Sequence, residues 1–220
     1  MAAAVTDAYA TAEQYRTATT IDSTGSDDDI VVDLGAISRY MEKRLGRFFT
    51  KDAADVARQF YTSHTGTLLP EAENPWKLCR GERFLQVDDM SAAPTSVKVD
   101  ENSDGVCETT YTIGTDCVAW PMNAPKGPEP KPYTALFIPD WTTQDRNWPP
   151  ARLVEIAAKW GWPAVPKAIE RGCIHLTAIL RLETPRAKNS MSEIGEVLGT
   201  SKQANAIIDE LIRHYGRVTI

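Results

Sequence analysis

The chain is 220 residues long, 42% hydrophobic and 25% charged, with a net charge of −6, an ordinary globular profile for one large domain or a compact domain carrying an insertion. No apolar run approaches the roughly 18 residues that a membrane-spanning helix requires, and residues 1–35, with seven acids against Arg16, account for the whole net charge. The remainder is near neutral, so the basic stripe of a phosphate-gripping surface is missing and tight nucleic-acid binding is not expected.

The opening stretch, MAAAVTDAYATAEQYR, has neither a basic start nor an apolar core. No secretory signal is expected, and maturation in the cytoplasm of the producing cell is. Residues 1–25 read as an N-terminal arm with a short helix around Thr11–Ala18. SDDDIVVDLGAISRYMEKRLG then predicts a long helix, with Ser26 as N-cap and Asp27, Asp28 and Asp29 at the positive end of its dipole. Ile30, Leu34, Ile37, Met41 and Leu45 form its apolar stripe, and Gly46 is placed to cap the C-terminus.

From about Val56 to Trp162 the period shortens. VARQFYT, RFLQV, TSVKV, TTYTI, CVAWP, YTALFI and RLVEIAAKWGW are rich in β-branched and aromatic residues and are separated by turn formers. They predict a small antiparallel sheet or sandwich, although ARLVEIAAKW also fits a short helix. Eight of the 14 prolines lie between Pro121 and Pro150, so residues 124–132 are expected to be exposed and extended.

Helical spacing returns at Pro166, a first-turn proline. Ile169, Cys173, Leu176 and Leu180 make one stripe, with Ala168 and Gly172 as a flank for close helix approach. Thr184–Glu193 reads as a loop, and a final helix spans about Thr200 to Tyr215 with Ala204, Ile208, Leu211 and Tyr215 inward. The predicted fold class is α+β: a discontinuous helical bundle core, residues 26–50 and 164–220, with an antiparallel β region, residues 51–163, inserted into it.

Motifs for chemistry are few. There is no G-x-S-x-G, H-E-x-x-H or Walker glycine loop, so no catalytic residue, cofactor or enzymatic activity is expected. Cys79, Cys107, Cys117 and Cys173 form no C-x-x-C pair and read as reduced thiols. A hairpin closed at Gly114-Thr115-Asp116 would set Cys107 opposite Asn123 rather than Cys117. His175, inside an apolar helix, reads as a core or interface histidine, and Asp88-Asp89 as a strand-end turn. Trp120, Tyr133, Phe137, Trp160 and Trp162 read as core of the β region.

Asp100, Asn102, Asp104 and Gly105 match the start of a D-x-[DN]-x-[DN]-G calcium loop. Position 12, which must supply a bidentate acid, is Tyr111, and the flanks are strand-like rather than helical. The stretch reads instead as a β-hairpin bend, and a metal is not expected.

Three segments carry a family resemblance: IVVDLGAISRYMEKRLGRFF, VKVDENSDGVCETTYTIGTDCVAWPMNA and, most specifically, AAKWGWPAVPKAIERGCIHLTAILRL. Together they resemble the head-to-tail connector, or adaptor, proteins of long-tailed double-stranded DNA bacteriophages. In that family a G-[WY]-x-x-[VI]-P-x-x-[IV] stretch leads from the β region into a long helix. Gly161, Trp162, Val165, Pro166 and Ile169 occupy it here. The resemblance covers about residues 26–183 and, more weakly, the final helix; no motif matches over Thr184–Gly199.

The resemblance implies a virion neck protein, assembled in the host cytoplasm, that forms a homo-oligomeric ring, typically a dodecamer. Its implied partners are the portal ring above and a stopper or tail-completion protein below, with double-stranded DNA passing without sequence-specific contacts. It further implies portal docking through Thr200–Ile220, with Thr200, Ile208, Leu211, Tyr215 and Ile220 as interface candidates. Asp27, Asp28, Asp29, Glu193 and Glu196 are candidates for the channel wall. The competing readings are a stopper or tail-completion protein of the same neck, and a β-domain binding module for calcium or a glycan.

Overall fold

A computed structural model describes residues 8–20, 27–62, 83–141, 147–183 and 191–216. Among these residues the fold is mixed α+β, with five α-helices and two antiparallel sheets totalling seven strands. The chain divides into two compact units, one of residues 1–50 with 165–219 and one of residues 51–164.

In the helical unit, α1 (Ala12–Thr19) starts with a capping box. Thr11 Oγ1 accepts the Gln14 N–H, while Gln14 Oε1 accepts the Thr11 N–H. Although α1 lies within the expected arm, it is docked: Tyr15 is 2% exposed, and the helix packs against both α2 (Asp27–Leu45) and α3 (Lys167–Glu183). Eight residues are too few to hold a helix alone in water, so its helicity depends on that packing.

All five predicted stripe residues of α2 are buried, and Gly46 ends the helix at φ 64°, with its N–H donating to the Glu42 carbonyl. A positive φ there is the left-handed cap that glycine adopts without strain. In α3, the stripe Ile169, Cys173, Leu176 and Leu180 is buried, and the Pro166 carbonyl accepts the first helical N–H, from Glu170. One expectation about α3 is corrected and one narrowed. Ala168 is exposed, leaving Gly172 alone as the close-approach position, and His175 is exposed, which removes the core alternative for it and leaves the interface one. It lies two residues from Cys173, about 200° around the helix from the stripe.

The expected loop over Thr184–Glu193 is also corrected at its end. Met191–Thr200 is a helix, α4, followed after Ser201 by α5 (Lys202–Tyr215). Ile194 and Leu198 of α4 are buried beside Ala204, Ile208 and Leu211 of α5, so each short helix gets a partner for its stripe. The expected cap Ser26, like Ile220, lies outside the described residues.

In the β unit, one sheet has the order β1 (Val56–Tyr61), β7 (Leu153–Ala158), β3 (Ser96–Val99), β4 (Thr109–Tyr111). The other runs β2 (Phe84–Met90), β6 (Tyr133–Phe137), β5 (Val118–Trp120). The ambiguous segment is thus the strand β7, alternating half-buried and buried residues along its length. β3 and β4 form the predicted hairpin, with Val97 opposite Tyr111.

The tight turn at Gly114 does not make a hairpin of its flanks: an isolated bridge joins Ile113 and Cys117, but β4 belongs to the first sheet and β5 to the second. It is a corner at which the chain changes sheets, closed by the Gly114 N–H donating to the Cys117 carbonyl at 2.7 Å. The proline-rich stretch is largely exposed but contains a short 3-10 turn, Ala124–Lys126.

The inner faces of both sheets close over one core built around Met90, Leu136, Ile156 and Trp160. Trp160 and Trp162 are buried, with their indole N–H groups donating to the Val56 carbonyl and the Asp89 carboxylate. Asp88 instead pairs with Arg58, which sits over the Trp160 ring. The Asp88-Asp89 pair therefore sends its two carboxylates to different partners.

Candidate functional site

Two groups of acids stand out in the sequence, and they have different environments. In the β3–β4 loop, one oxygen each of Asp100, Asp104 and Glu108 lies within 4.8 Å of the others. Asp100 is 3% exposed, and both its oxygens are used: Oδ1 accepts the Ser103 N–H at 2.6 Å and Oδ2 the Gly105 N–H at 2.9 Å. Burial works against its charged form, but the backbone donors of Gly105, Ser103, Asp104 and Asn102 outweigh it and hold the carboxyl below the usual range.

The Asp104 side chain accepts the Val106 N–H and an Asn102 amide hydrogen. Ser103 and Gly105, at φ 66° and 86°, make the tight bend around Asp100. Tyr111, the residue at the twelfth position, is 3% exposed and stacked on Trp148 with 5.6 Å between ring centroids. Asp100 and Asp104 therefore organise a bend, and the side chain at the position that would complete an EF-hand belongs to the core.

In the helical unit, Asp27 is engaged by Arg16 of α1, whose Nη1 donates to both carboxylate oxygens at 2.6 Å. Asp28 and Asp29 are exposed, as are Glu193 and Glu196 on α4. The two sets do not form one cluster. Gly195, between the two glutamates, lies against Tyr40, and Tyr40 is twelve residues along α2 from Asp28, about 18 Å of helical rise.

Of the interface candidates, Thr200 is exposed and ends α4, whereas Ile208 and Leu211 are buried at 2% and 6% exposure. Tyr215 is half-buried and meets Phe49 edge-on. Apolar spacing on α5 thus marks the seam that holds the bundle together.

Asp33 is a residue that motif and spacing left unmarked. It is 2% exposed and receives Arg181 Nη1 on Oδ2 at 2.6 Å, while its buried Oδ1 has no hydrogen-bond partner among the described residues. The signal is present in the sequence: Asp33 stands three residues after Ile30 and four before Ile37, on the apolar face of α2. Nearby, Tyr9 Oη donates to Glu42 at 2.6 Å and accepts the Phe49 N–H, while the Tyr9 N–H donates to Ser38.

Among the described residues, Cys107, Cys117 and Cys173 are in no disulfide. Burial pushes Cys117 up to about 12, and pushes Cys173 up to about 11 against the hydrogen bonds of Ser38 and Thr177. Cys79 lies outside the described residues.

No protein-family profile and no curated protein matches the chain. One similar solved structure is described as the neck of an empty GTA particle computed with C6 symmetry. Its TM-score is 0.48 and its identity 14%, over 95% of this chain and 90% of that one. It is a likeness of backbone arrangement alone.

Proposed function

We propose that the chain is a non-enzymatic structural protein of a phage-like neck, and within it the head-to-tail connector that rings the DNA channel beneath the portal. The observation that carries this reading is the passage from β7 into α3. Gly161 takes φ 102°, which favours glycine; Trp162 is anchored on Asp89, Pro166 opens α3 and Ile169 is buried in the bundle. The G-W-x-x-V-P-x-x-I residues thus stand at a strand-to-helix passage, the setting the resemblance implies for them.

The helical unit, discontinuous in sequence and interrupted by the β unit, supports the same reading. In this reading the exposed acids Asp28, Asp29, Glu193 and Glu196 contribute to a channel wall that repels DNA phosphates and lets the duplex slide. With Ile208 and Leu211 committed to the bundle, portal docking through α5 falls to its exposed face, Asp209, Glu210, Ile212 and Arg213.

The test is to mix the purified protein with its cognate portal ring and measure mass and negative-stain images. Recruitment as a ring on the portal supports the connector. A protein that ignores the portal but binds a preformed portal–connector complex is a stopper or tail-completion protein instead. One that binds neither overturns the neck assignment.

A further inference from the structure

The unpartnered oxygen of Asp33 sits where three helices meet. Asp33 belongs to α2, its ion-pair partner Arg181 to α3, and Tyr15 of α1 is close enough for its phenol to feel both charges. Asp29, one turn back on α2, adds a like charge. These are the charged and titratable groups of the three helices that act on Asp33.

The two members of the ion pair are unequal. The Asp33 side chain is 3% exposed and that of Arg181 28%. If Asp33 takes a proton, Arg181 can recover hydration at the surface, and the protonated oxygen no longer needs a charge partner. If Asp33 stays ionised, Oδ1 carries charge in a place that bulk water does not reach and where no described residue donates to it, and burying it so is costly. The carboxyl accordingly lies above the ordinary aspartate range, raised first by burial and also by Asp29, against the opposing pull of Arg181.

The cover over this junction includes the element least able to stand by itself. α1 has eight residues and is joined to α2 by the short stretch 20–26. Apart from the burial of Tyr15, it is held by the Arg16–Asp27 ion pair and, just before the helix, by the bonds of Tyr9 to Ser38, Glu42 and Phe49.

We propose that Asp33 is a proton-linked seat for α1: the segment packs down more firmly when this carboxyl is protonated and lifts more readily when it is ionised. Lifting α1 admits water to Oδ1, so ionisation and release favour each other, as reciprocal linkage requires. Because the docked state raises the Asp33 value, the stabilisation is fully present below the ordinary aspartate value and is lost as pH rises through the docked one. The Arg16–Asp27 and Tyr9–Glu42 bonds are the brakes that keep α1 down once Asp33 is charged.

Hydrogen exchange on the full chain tests this. Amide protection of Tyr15 to Thr19, corrected for intrinsic exchange and referenced to the α2 core amides of Ile37 and Met41, is followed from about pH 4 to about pH 7. The wild type should lose α1 protection steadily over that range. Asp33→Asn, which keeps the shape without the charge, should show a flat profile at the protected level. Glu42→Gln should lower protection at every pH while keeping the slope.

A wild-type profile without slope, or a slope surviving in Asp33→Asn, overturns the proposal. If Asp33→Asn does not fold, the wild-type slope is set beside a carbon-NMR titration of the Asp33 carboxyl. That carboxyl must then titrate above the ordinary aspartate value, with a midpoint at the centre of the protection loss; any other midpoint refutes the linkage.

Discussion

Gly172 offers the most direct test of the helical packing. A Cβ placed on it would lie 2.7 Å from Leu211 Cδ1 and 3.6 Å from Met41 Cε, so α3 approaches α5 and α2 at a point where only glycine fits without adjustment. Gly172→Ala should gain about 1 kcal/mol of helix propensity. Against that stands overpacking of roughly 1–3 kcal/mol, since Leu211 must leave its rotamer well or the helices must part. The net expectation is a loss of about 1 kcal/mol.

Leu211→Ala alone should cost about 2–5 kcal/mol through the cavity it leaves. In that background the added methyl of Gly172→Ala meets open space, so its effect should turn neutral or favourable, a coupling of about 1 kcal/mol between residues in contact. Urea denaturation followed by far-UV circular dichroism reads the helical unit. All six tryptophans lie between residues 76 and 162, so tryptophan fluorescence reports the β unit separately and shows whether the two unfold together. If Gly172→Ala stabilises the protein by its full propensity gain, equally in both backgrounds, the close approach of the helices is refuted.

Asp100 is held ionised by backbone donors, so its contribution to the loop is present above the ordinary aspartate value and lost as pH falls through its lower folded one. Exchange protection of Ser103 and Gly105 should fall in that acid range and at every pH in Asp100→Asn, and protection insensitive to both would contradict the assigned role. Millimolar calcium should leave the melting temperature unchanged, because a ligand that binds only the native state must raise it; a calcium-dependent rise would restore the metal reading. In a Cys79→Ala variant, Cys107 should be the only thiol to react with a disulfide reagent before unfolding, since Cys117 and Cys173 are buried and their thiolates disfavoured; rapid labelling of all three would contradict the burial.

Periodic segments are the legible ones. The stripes of α2 and α3 can be read because each has four or more large apolar residues at regular spacing, enough to define a face. α4 escapes such a reading because MSEIGEVLGT offers only Ile194 and Leu198 for its buried face, with Gly195 and Gly199 lowering its intrinsic propensity. Its helical state depends on packing against α2, α3 and α5, which no local pattern announces. The corner at Gly114 misleads for a related reason: a tight turn fixes the direction of the chain locally, but which sheet the next strand joins depends on β6, about fifteen residues further on.

The same limit governs the candidate site. Apolar spacing says that Ile208 and Leu211 must be covered, and it does not say by what; the bundle itself covers them, leaving the polar face of α5 for any partner. An acid on an apolar face is a sharper sign, because burying it has a cost that the chain must offset or use. Asp33 meets that description and Asp100 does not. Both are buried aspartates, but Asp100 has backbone donors on both oxygens and is fully engaged by its loop, whereas Asp33 has one oxygen bonded and one without a donor among the described residues. Counting donors on each carboxylate oxygen, rather than counting acids in a cluster, separates a carboxylate that shapes a turn from one whose protonation can move a helix.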